Sequence, residues 1–407
     1  MSLRPLPHFG PATRAIHGQQ QRDAFGSPHM PIYDTTTFTF PDTSALLEVT
    51  EGRRQAPLYT RYGHNPTLYA LEETLAALEE AEAAWAFTSG MGAISTLLLA
   101  HGRRGIACLG EVYGGTLSLL EQQLPALGIN THLLDGYEPE ILEQLLASGV
   151  GLVYLETPTN PTLRLIDIAA VAEQAHHHGA LVAVDGTFAT PINQRPLSLG
   201  ADMVVHSATK YLGGHSDLTA GTVMGSAEVL APLWHWRQNL GTALSPQAAS
   251  LLSRSLRTLP LRMQRHNASA HAIAEALQSH PALERVLYPG LASHPGHDLA
   301  CRQMSGFGGM LTLELSGGRE AAARVADRFS LFALAPSLGG AESLVTQPCT
   351  TSHADLTPEE RARRGIGDGM LRLSVGLEEV EDLLADLHQA LDAKEAGRRG
   401  ASGTPPP

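Results

Sequence analysis

The chain has 407 residues, 43% of them apolar, and carries 28 basic against 41 acidic side chains for a net charge of -13. Such a length exceeds one small core and implies two domains or more. The acidic balance excludes general nucleic-acid binding, which needs a basic surface, and no run of about 18 uncharged apolar residues is present to span a membrane.

The first 18 residues lack the apolar h-region of a secretory leader. Cys108, Cys301 and Cys349 lie far apart with no paired spacing. Neither a disulfide framework nor a zinc site is expected, and a reducing cytoplasm fits best.

Residues 1–60 show little periodicity and many turn formers, including the Thr-rich run from Tyr33 to Phe38. Ile16, Ile32, Tyr33, Phe38 and Phe40 are costly to expose, so this arm is expected to lie on another part of the protein or on a partner subunit. At Asn65-Pro66-Thr67 a helix begins, with asparagine as N-cap and proline at the first helical position. Leu68, Leu71, Leu75 and Leu78 then form one buried stripe. Trp85 to Phe87 reads as a strand running into the turn Thr88-Ser89-Gly90-Met91-Gly92, followed by a helix from Ala93 to Ala100. Free N–H groups and the helix dipole make such a turn an anion site, although many α/β turns look alike.

Strand–helix alternation continues through Ile106–Leu109, a helix from Thr116, Leu152–Leu155, a helix near Ile166–His177, Leu181–Val184 and Met203–Val205. Strands apolar on both faces, separated by amphipathic helices, indicate a mostly parallel sheet covered on both sides. Ligands collect at the carboxyl ends of such strands. Polar residues stand there: Ser89 and Gly90, Tyr113, Glu156 to Asn160, Asp185, and Ser207 to Lys210. Beyond about residue 250 the pattern is helical over Arg254–Arg265 and Ala270–Leu277, then mixed. Strands are expected at Val286–Tyr288, Gly309–Leu315 and Met370–Val375, with helices at Ala321–Phe329 and around Val380, Leu383, Leu384 and Leu387. This suits a smaller α+β domain. The expected division is an arm at 1–60, a large domain at 61–250, a small domain at 251–395 and a disordered Gly/Ala/Pro-rich tail at 396–407.

Lys210 follows the strand Met203–Val205 among small hydroxylated residues, and two roles are open to it. It is either a surface charge or a covalent lysine that forms a Schiff base with an aldehyde cofactor, whose phosphate Ser207 and Thr209 hold. Asp185 ends the strand before it. An aspartate there is either a turn former or the anion that a pyridine ring nitrogen requires. Tyr113 is placed to stack on such a ring, and the Gly90-Met91 turn to bind its phosphate. The run His176-His177-His178 reads as a solvated cluster at a helix end, not a metal site.

The motifs YTRYGHNPT (59–67), TSGMGAI (88–94), VYGGT (112–116), ETPTNPTLR (156–164), VDGTFATP (184–191), HSATKYLGGHSD (206–217), SLGGAESL (337–344) and LRLSVGLE (371–378) occur in order. Together they closely resemble the Cys/Met-metabolism family of pyridoxal-phosphate enzymes, from about Thr13 to Leu391. The family includes cystathionine γ-synthase, cystathionine γ-lyase, methionine γ-lyase and the O-acylhomoserine sulfhydrylases. The resemblance implies an α/β PLP-dependent transferase fold of the aspartate aminotransferase-like type (fold type I). It also implies a Schiff base at Lys210, Asp185 against the pyridinium, and Tyr113 stacked on the ring. Ser207, Thr209, Thr187 and the Gly90 and Met91 amides hold the cofactor. Tyr59 and Arg61 of the Y-x-R motif reach a neighbouring subunit's phosphate, an arginine fork suiting phosphate oxygens. Arg372, with Ser337, Asn160 and Glu342, takes the substrate, Arg372 holding its α-carboxylate. A homotetramer built as a dimer of dimers, small amino-acid substrates and no metal are implied.

Three departures from the family pattern stand out. His64 is an extra residue within the usual G-N-P-T turn. Gly186 replaces the asparagine that most members carry after the aspartate, and DGTFATPINQ together with 288–309 looks most like plant-type cystathionine γ-synthases. Gly115 stands where methionine γ-lyases typically carry cysteine, which argues against that activity. The first expectation is therefore γ-replacement on an O-acylhomoserine by cysteine to give cystathionine; γ-elimination of cystathionine is second, and sulfhydrylation third. A catalytically silent member would have lost a cofactor-site residue, and none is lost. A dinucleotide-binding protein is disfavoured because no G-x-G-x-x-G follows the early strands.

Overall fold

The structure, a computed structural model, describes residues 9–20, 22–351, 353–354 and 356–392. The expected tail at 396–407 lies outside them.

Seven strands form the first sheet: β1 (Ala83–Phe87), β2 (Ile106–Leu109), β3 (Thr131–Leu134), β4 (Leu152–Glu156), β5 (Leu181–Asp185), β6 (Met203–His206) and β7 (Gly221–Gly225). Their order is β1-β7-β6-β5-β4-β2-β3. β7 runs antiparallel to β1 and β6, and the remaining pairs are parallel. Every residue of β2, β4, β6 and β7 is buried. Alternate side chains enter different cores, as the two-residue period of a strand requires. Cys108, Leu152 and Tyr154 pack with Ile94 and Leu98 on one face. Leu109, Val153 and Leu155 pack with Val171 and Ala175 on the other. The strand register sets Glu156 opposite Asp185 and Asp185 opposite Val205, so three carboxyl ends stand level.

The second sheet has five strands, β8 (Leu283–Leu287), β9 (Met310–Leu315), β10 (Ala333–Leu334), β11 (Leu344–Thr346) and β12 (Met370–Ser374), in the order β10-β11-β12-β9-β8. All its pairings are antiparallel except that of β10 with β11. The Thr312 hydroxyl on β9 donates to the Pro161 carbonyl at 2.7 Å, tying this sheet to the loop that follows β4.

Several elements differ from the sequence reading. The helix after β1 begins at Gly90, not Ala93, because Ser89 caps it by accepting from the Gly92 amide. The expected helices Arg254–Arg265 and Ala270–Leu277 are in fact Pro246–Leu256 and Leu259–Leu277, with Pro260 in the first turn of the second. Proline is welcome there, where its missing N–H costs nothing. The arm, expected to be irregular, contains the helices Pro11–His17 and Thr43–Thr50. Strands β3, β7, β10 and β11 have no counterpart in the sequence reading.

The turn carrying Tyr59 and Arg61 is set by a buried arginine. Arg237, on the helix Ala227–Leu240, is fully buried with Nη2 2.8 Å from Glu72. Its guanidinium lies over Trp85, Phe87 and Trp234 at 5.3, 5.6 and 5.9 Å. Gly63 has φ +85°, and a Cβ there would fall 2.6 Å from Nη2, so only glycine lets this turn seat on the arginine. Removing the carboxylate leaves a buried cation unpaired. Glu72→Ala is therefore expected to cost about 3–5 kcal/mol, read as a lower denaturant midpoint; a loss under about 1 kcal/mol, the worth of an exposed pair, contradicts the arrangement.

Candidate active site

A cavity of about 650 Å³ opens at the carboxyl ends of the first sheet and is closed from the other side by β11, β12 and the loop at 336–338. Each wall comes from a different stretch of sequence. At the amino end of the helix Gly90–His101, the Gly90 and Met91 amides lie in the first turn and have no intrahelical acceptor. A Cβ on Gly90 would sit 2.7 Å from that of Ser207, so the helix end packs directly on the β6 loop. The Ser207 amide donates to the Thr187 hydroxyl at 2.8 Å. The Thr209 hydroxyl exchanges hydrogen bonds with the Ala220 backbone at 3.2 and 3.0 Å. Helix amides and hydroxyls of this kind suit a phosphate.

Lys210 donates from Nζ to Ser337 Oγ at 2.7 Å. Burial, then the neighbouring Arg372 charge, brings its amine down to about 8. Ser337 has φ +102°, a conformation rare for a residue with a side chain. Its carbonyl accepts from Arg372 Nη2 at 2.9 Å, while Asn160 Oδ1 accepts from Nη1 at 3.0 Å. Arg372 is buried on β12, and burial lowers its guanidinium to about 10. Its Nε has no partner, and it makes no ion pair among the described residues. A cation so placed is costly until an anion reaches it.

Asp185 presents the opposite case. It is 4% exposed, with Oδ1 accepting from the Thr187 amide at 2.9 Å and Oδ2 from the Tyr154 hydroxyl at 3.3 Å. No cationic side chain pairs with it among the described residues, and burial pushes its carboxyl above the usual range. One cavity thus holds a carboxylate lacking a cation and a guanidinium lacking an anion. A protonated pyridine nitrogen and an amino-acid carboxylate complement them, and the lysine and phosphate donors fit the rest of pyridoxal phosphate.

Gly90, Met91, Tyr113, Asn160, Asp185 and Thr187 all line this cavity, as do Ser207, Thr209, Lys210, Ser337 and Arg372. Tyr59, Arg61 and Glu342 do not line it. Arg61 donates to the Gln238 carbonyl at 2.8 Å and lies over Tyr62 at 4.7 Å. Glu342, expected at the substrate, is instead exposed and accepts from the Ser216 hydroxyl, because the 339–342 turn carries it past the lining. Among the described residues His280, His388 and Asp392 gather ligand atoms within 4.8 Å, but none of them lines the cavity.

Glu156, marked in the sequence only as one of several polar residues at strand ends, was given no role there, and it lines the cavity. Its Oε2 accepts from the Tyr113 amide at 2.9 Å and so fixes the base of the half-exposed Tyr113 ring. Burial and the adjacent Asp185 charge hold its carboxyl well above the usual range. The available signal was its place at the end of the apolar run Leu152–Leu155, as Asp185 ends Leu181–Val184.

Because the Asp185 carboxyl titrates higher in the folded than in the unfolded protein, its ionised form costs stability once pH exceeds the unfolded value of about 4. Asp185→Asn is expected to melt above the wild type without cofactor, by a margin that grows as pH rises through that window. Activity should fall at least about 100-fold. A variant less stable than wild type at pH 8 contradicts the buried-charge account.

A family profile described as Cys/Met metabolism PLP-dependent enzyme matches residues 12–392. The chain is 46% identical over 393 residues to the L-methionine γ-lyase of Pseudomonas putida, covering 95% of this chain and 98% of that one. It is 44% identical over 366 residues to the chloroplastic cystathionine γ-synthase 1 of Arabidopsis thaliana, covering 89% of this chain and 65% of that one. Among solved structures, the cystathionine γ-synthase of Xanthomonas oryzae pv. oryzae in complex with cystathionine is 42% identical. It superposes with a TM-score of 0.88 over 94% of this chain and 98% of that one.

Proposed function

The chain belongs to the Cys/Met-metabolism family of pyridoxal-phosphate-dependent enzymes, and within it we propose γ-replacement on an O-acylhomoserine, with cysteine as incoming thiol and cystathionine as product. The observation that carries the chemistry is the pair of uncompensated buried charges, Asp185 and Arg372, in one cavity with Lys210. Pyridoxal phosphate, joined to Lys210, supplies a ring that takes up the charge left when the substrate Cα–H bond breaks.

In this reading Arg372 holds the α-carboxylate in its fork, steadied by Asn160 and the Ser337 carbonyl. Once the substrate amine has replaced it on the cofactor, the freed Lys210 Nζ would take the Cα proton and move protons at Cβ while the γ-acyloxy group leaves as a carboxylate and the cysteine sulfur bonds to Cγ. An amine brought down to about 8 has a useful neutral fraction near physiological pH. Tyr113 would stack on the ring and assist proton movement, its backbone held by Glu156. Asp185 would keep the ring nitrogen protonated, and Ser207, Thr209 and the Gly90 and Met91 amides would take the phosphate.

Tyr59 and Arg61 serve a second copy's cofactor, in a dimer of dimers in the cytoplasm. Supporting this, the two residues lie outside their own chain's cavity, and Phe9, Ile16, Phe25 and Ile32 of the arm are exposed. No helix among the described residues is long and apolar enough to cross a membrane.

Elimination of methionine is the second reading, favoured by the 46% identity to a methionine γ-lyase. Gly115 weighs against it. A Cβ there would fall 2.7 Å from Tyr113 Cε1 and 3.2 Å from Met91 Sδ, so the cysteine typical of those lyases displaces the Tyr113 ring.

Supplying O-acylhomoserine with cysteine or sulfide, and separately cystathionine or methionine alone, distinguishes the reactions. Cystathionine from the first mixture is expected. Faster release of 2-oxobutanoate and ammonia from methionine sinks the assignment. Arg372→Leu is expected to lose about 3 kcal/mol of kcat/KM, roughly 100-fold, with Arg372→Lys recovering little because the fork is gone. Lys210→Ala should lose both turnover and the visible absorbance of bound cofactor. For the cofactor-free protein, reconstitution rate should climb with pH to a half-rise at about 8, since the neutral amine is the reactive form; a flat profile there contradicts the lowered amine.

A further inference from the structure

Next to Asp185 lies a second buried acid–base pair that the chemistry above does not use. His206 is the last residue of β6, following the Val205 that pairs with Asp185. Its Nε2 stands 2.7 Å from Glu79 Oε1, at the end of the helix Pro66–Glu79, and both side chains are 0% exposed. Nδ1 of the imidazole and Oε2 of Glu79 have no hydrogen-bond partner among the described residues. A fully dry pair with unfilled valences is poor value for stability alone, since apolar residues of the same volume serve as well or better.

The ring's position gives the pair a task. A Cβ built on Gly186 would fall 2.8 Å from His206 Cε1 and 3.5 Å from Nδ1. The imidazole therefore lies against the peptide that follows Asp185, and the absence of a side chain at 186 lets it come so close. The Gly186 amide donates to the Val205 carbonyl at 3.0 Å, locking that approach. Across the sheet Asp185 has the Glu156 carboxyl on β4 to one side and the β6 end carrying His206 on the other. Glu79 anchors the far nitrogen of the imidazole, which leaves Nδ1 on the side of the Gly186 peptide.

We propose that His206 and Glu79 are positioning residues that hold Asp185 as an anion toward the cofactor's ring nitrogen, with Gly186 admitting the imidazole. This rests on the reading that Asp185 faces that nitrogen. The His206 charge opposes the effect of burial on the Asp185 carboxyl, in the same direction as the Thr187 hydrogen bonds. On the other side the Asp185 charge raises the Glu156 carboxyl, which the strand register sets level with it.

The test uses holoenzyme loaded with pyridoxal phosphate carrying nitrogen-15 in the ring, whose NMR shift reports protonation of that atom. Glu79→Gln and His206→Asn are expected to move the signal from the wild-type position toward that of Asp185→Asn. Their kcat should fall about 10–100-fold with little change in KM, the range that outer partners of a functional group command. Gly186→Ala, which crowds the ring, should move it the same way. Thr222→Val, buried opposite His206 on β7, serves as the packing control and should leave the signal in place. A wild-type signal in both Glu79→Gln and His206→Asn overturns the proposal. Should His206→Asn fail to fold, Glu79→Gln decides, because it keeps the side-chain shape. If Asp185→Asn itself retains the wild-type signal, the reading of Asp185 falls first and the pair has nothing to hold.

Discussion

Two buried groups of opposite charge, each without an ion-pair partner among the described residues, impose the main constraint on this molecule. Arg372 and Asp185 both sit out of water, where an unpaired ion carries a penalty of several kcal/mol even after relaxation. They do not neutralise one another, because one rides on β12 of the second sheet and the other ends β5 of the first. Their surroundings keep them apart and oriented. Asn160 and the Ser337 carbonyl hold the guanidinium, while Thr187 and Tyr154 hold the carboxylate. What folding leaves unsatisfied is then available to a ligand that carries both a cation and an anion.

The two sheets divide the labour accordingly. The mostly parallel sheet brings the carboxyl ends of β4, β5 and β6 level, so Glu156, Asp185 and the loop holding Lys210 converge without any of them being near in sequence. The mostly antiparallel sheet contributes Arg372 and, through the strained Ser337, a hydroxyl 2.7 Å from the lysine amine. Lys210 feels both sides. Its amine is lowered by the burial that the first sheet imposes and by the Arg372 charge that the second supplies.

Residues legible in the sequence were those whose role shows in local pattern. Asn65 as a cap and the leucine stripe after it follow from helix chemistry, and the apolar runs of β2, β4, β5 and β6 follow from burial on both faces. Asp185 was visible because it ends an apolar run, and Lys210 because it stands alone among small hydroxylated residues just past one. Glu156 sits at an equivalent strand end and was marked there, but its role shows only once its neighbours are known. β7 was missed since GTVMG is short and glycine-flanked, and a strand of that kind declares itself through its partners β1 and β6. Glu342 shows the converse: a residue within a recognisable motif whose side chain turns away from the cavity of its own chain.

Sequence by itself determined the alternation of buried strands and amphipathic helices, the lysine, aspartate and arginine on which the chemistry depends, and the family whose motifs carry them. These are matters of residue type and short-range spacing, which a linear chain records directly. Tertiary structure alone decided that Arg372 and Asp185 find no ion-pair partner among the described residues, that Glu156 and Asp185 stand level on neighbouring strands, and that His206 and Glu79, 127 residues apart, meet at no exposure near them. Charge state and desolvation depend on what surrounds a group in space. That quantity comes into being only when distant segments pack and exclude water.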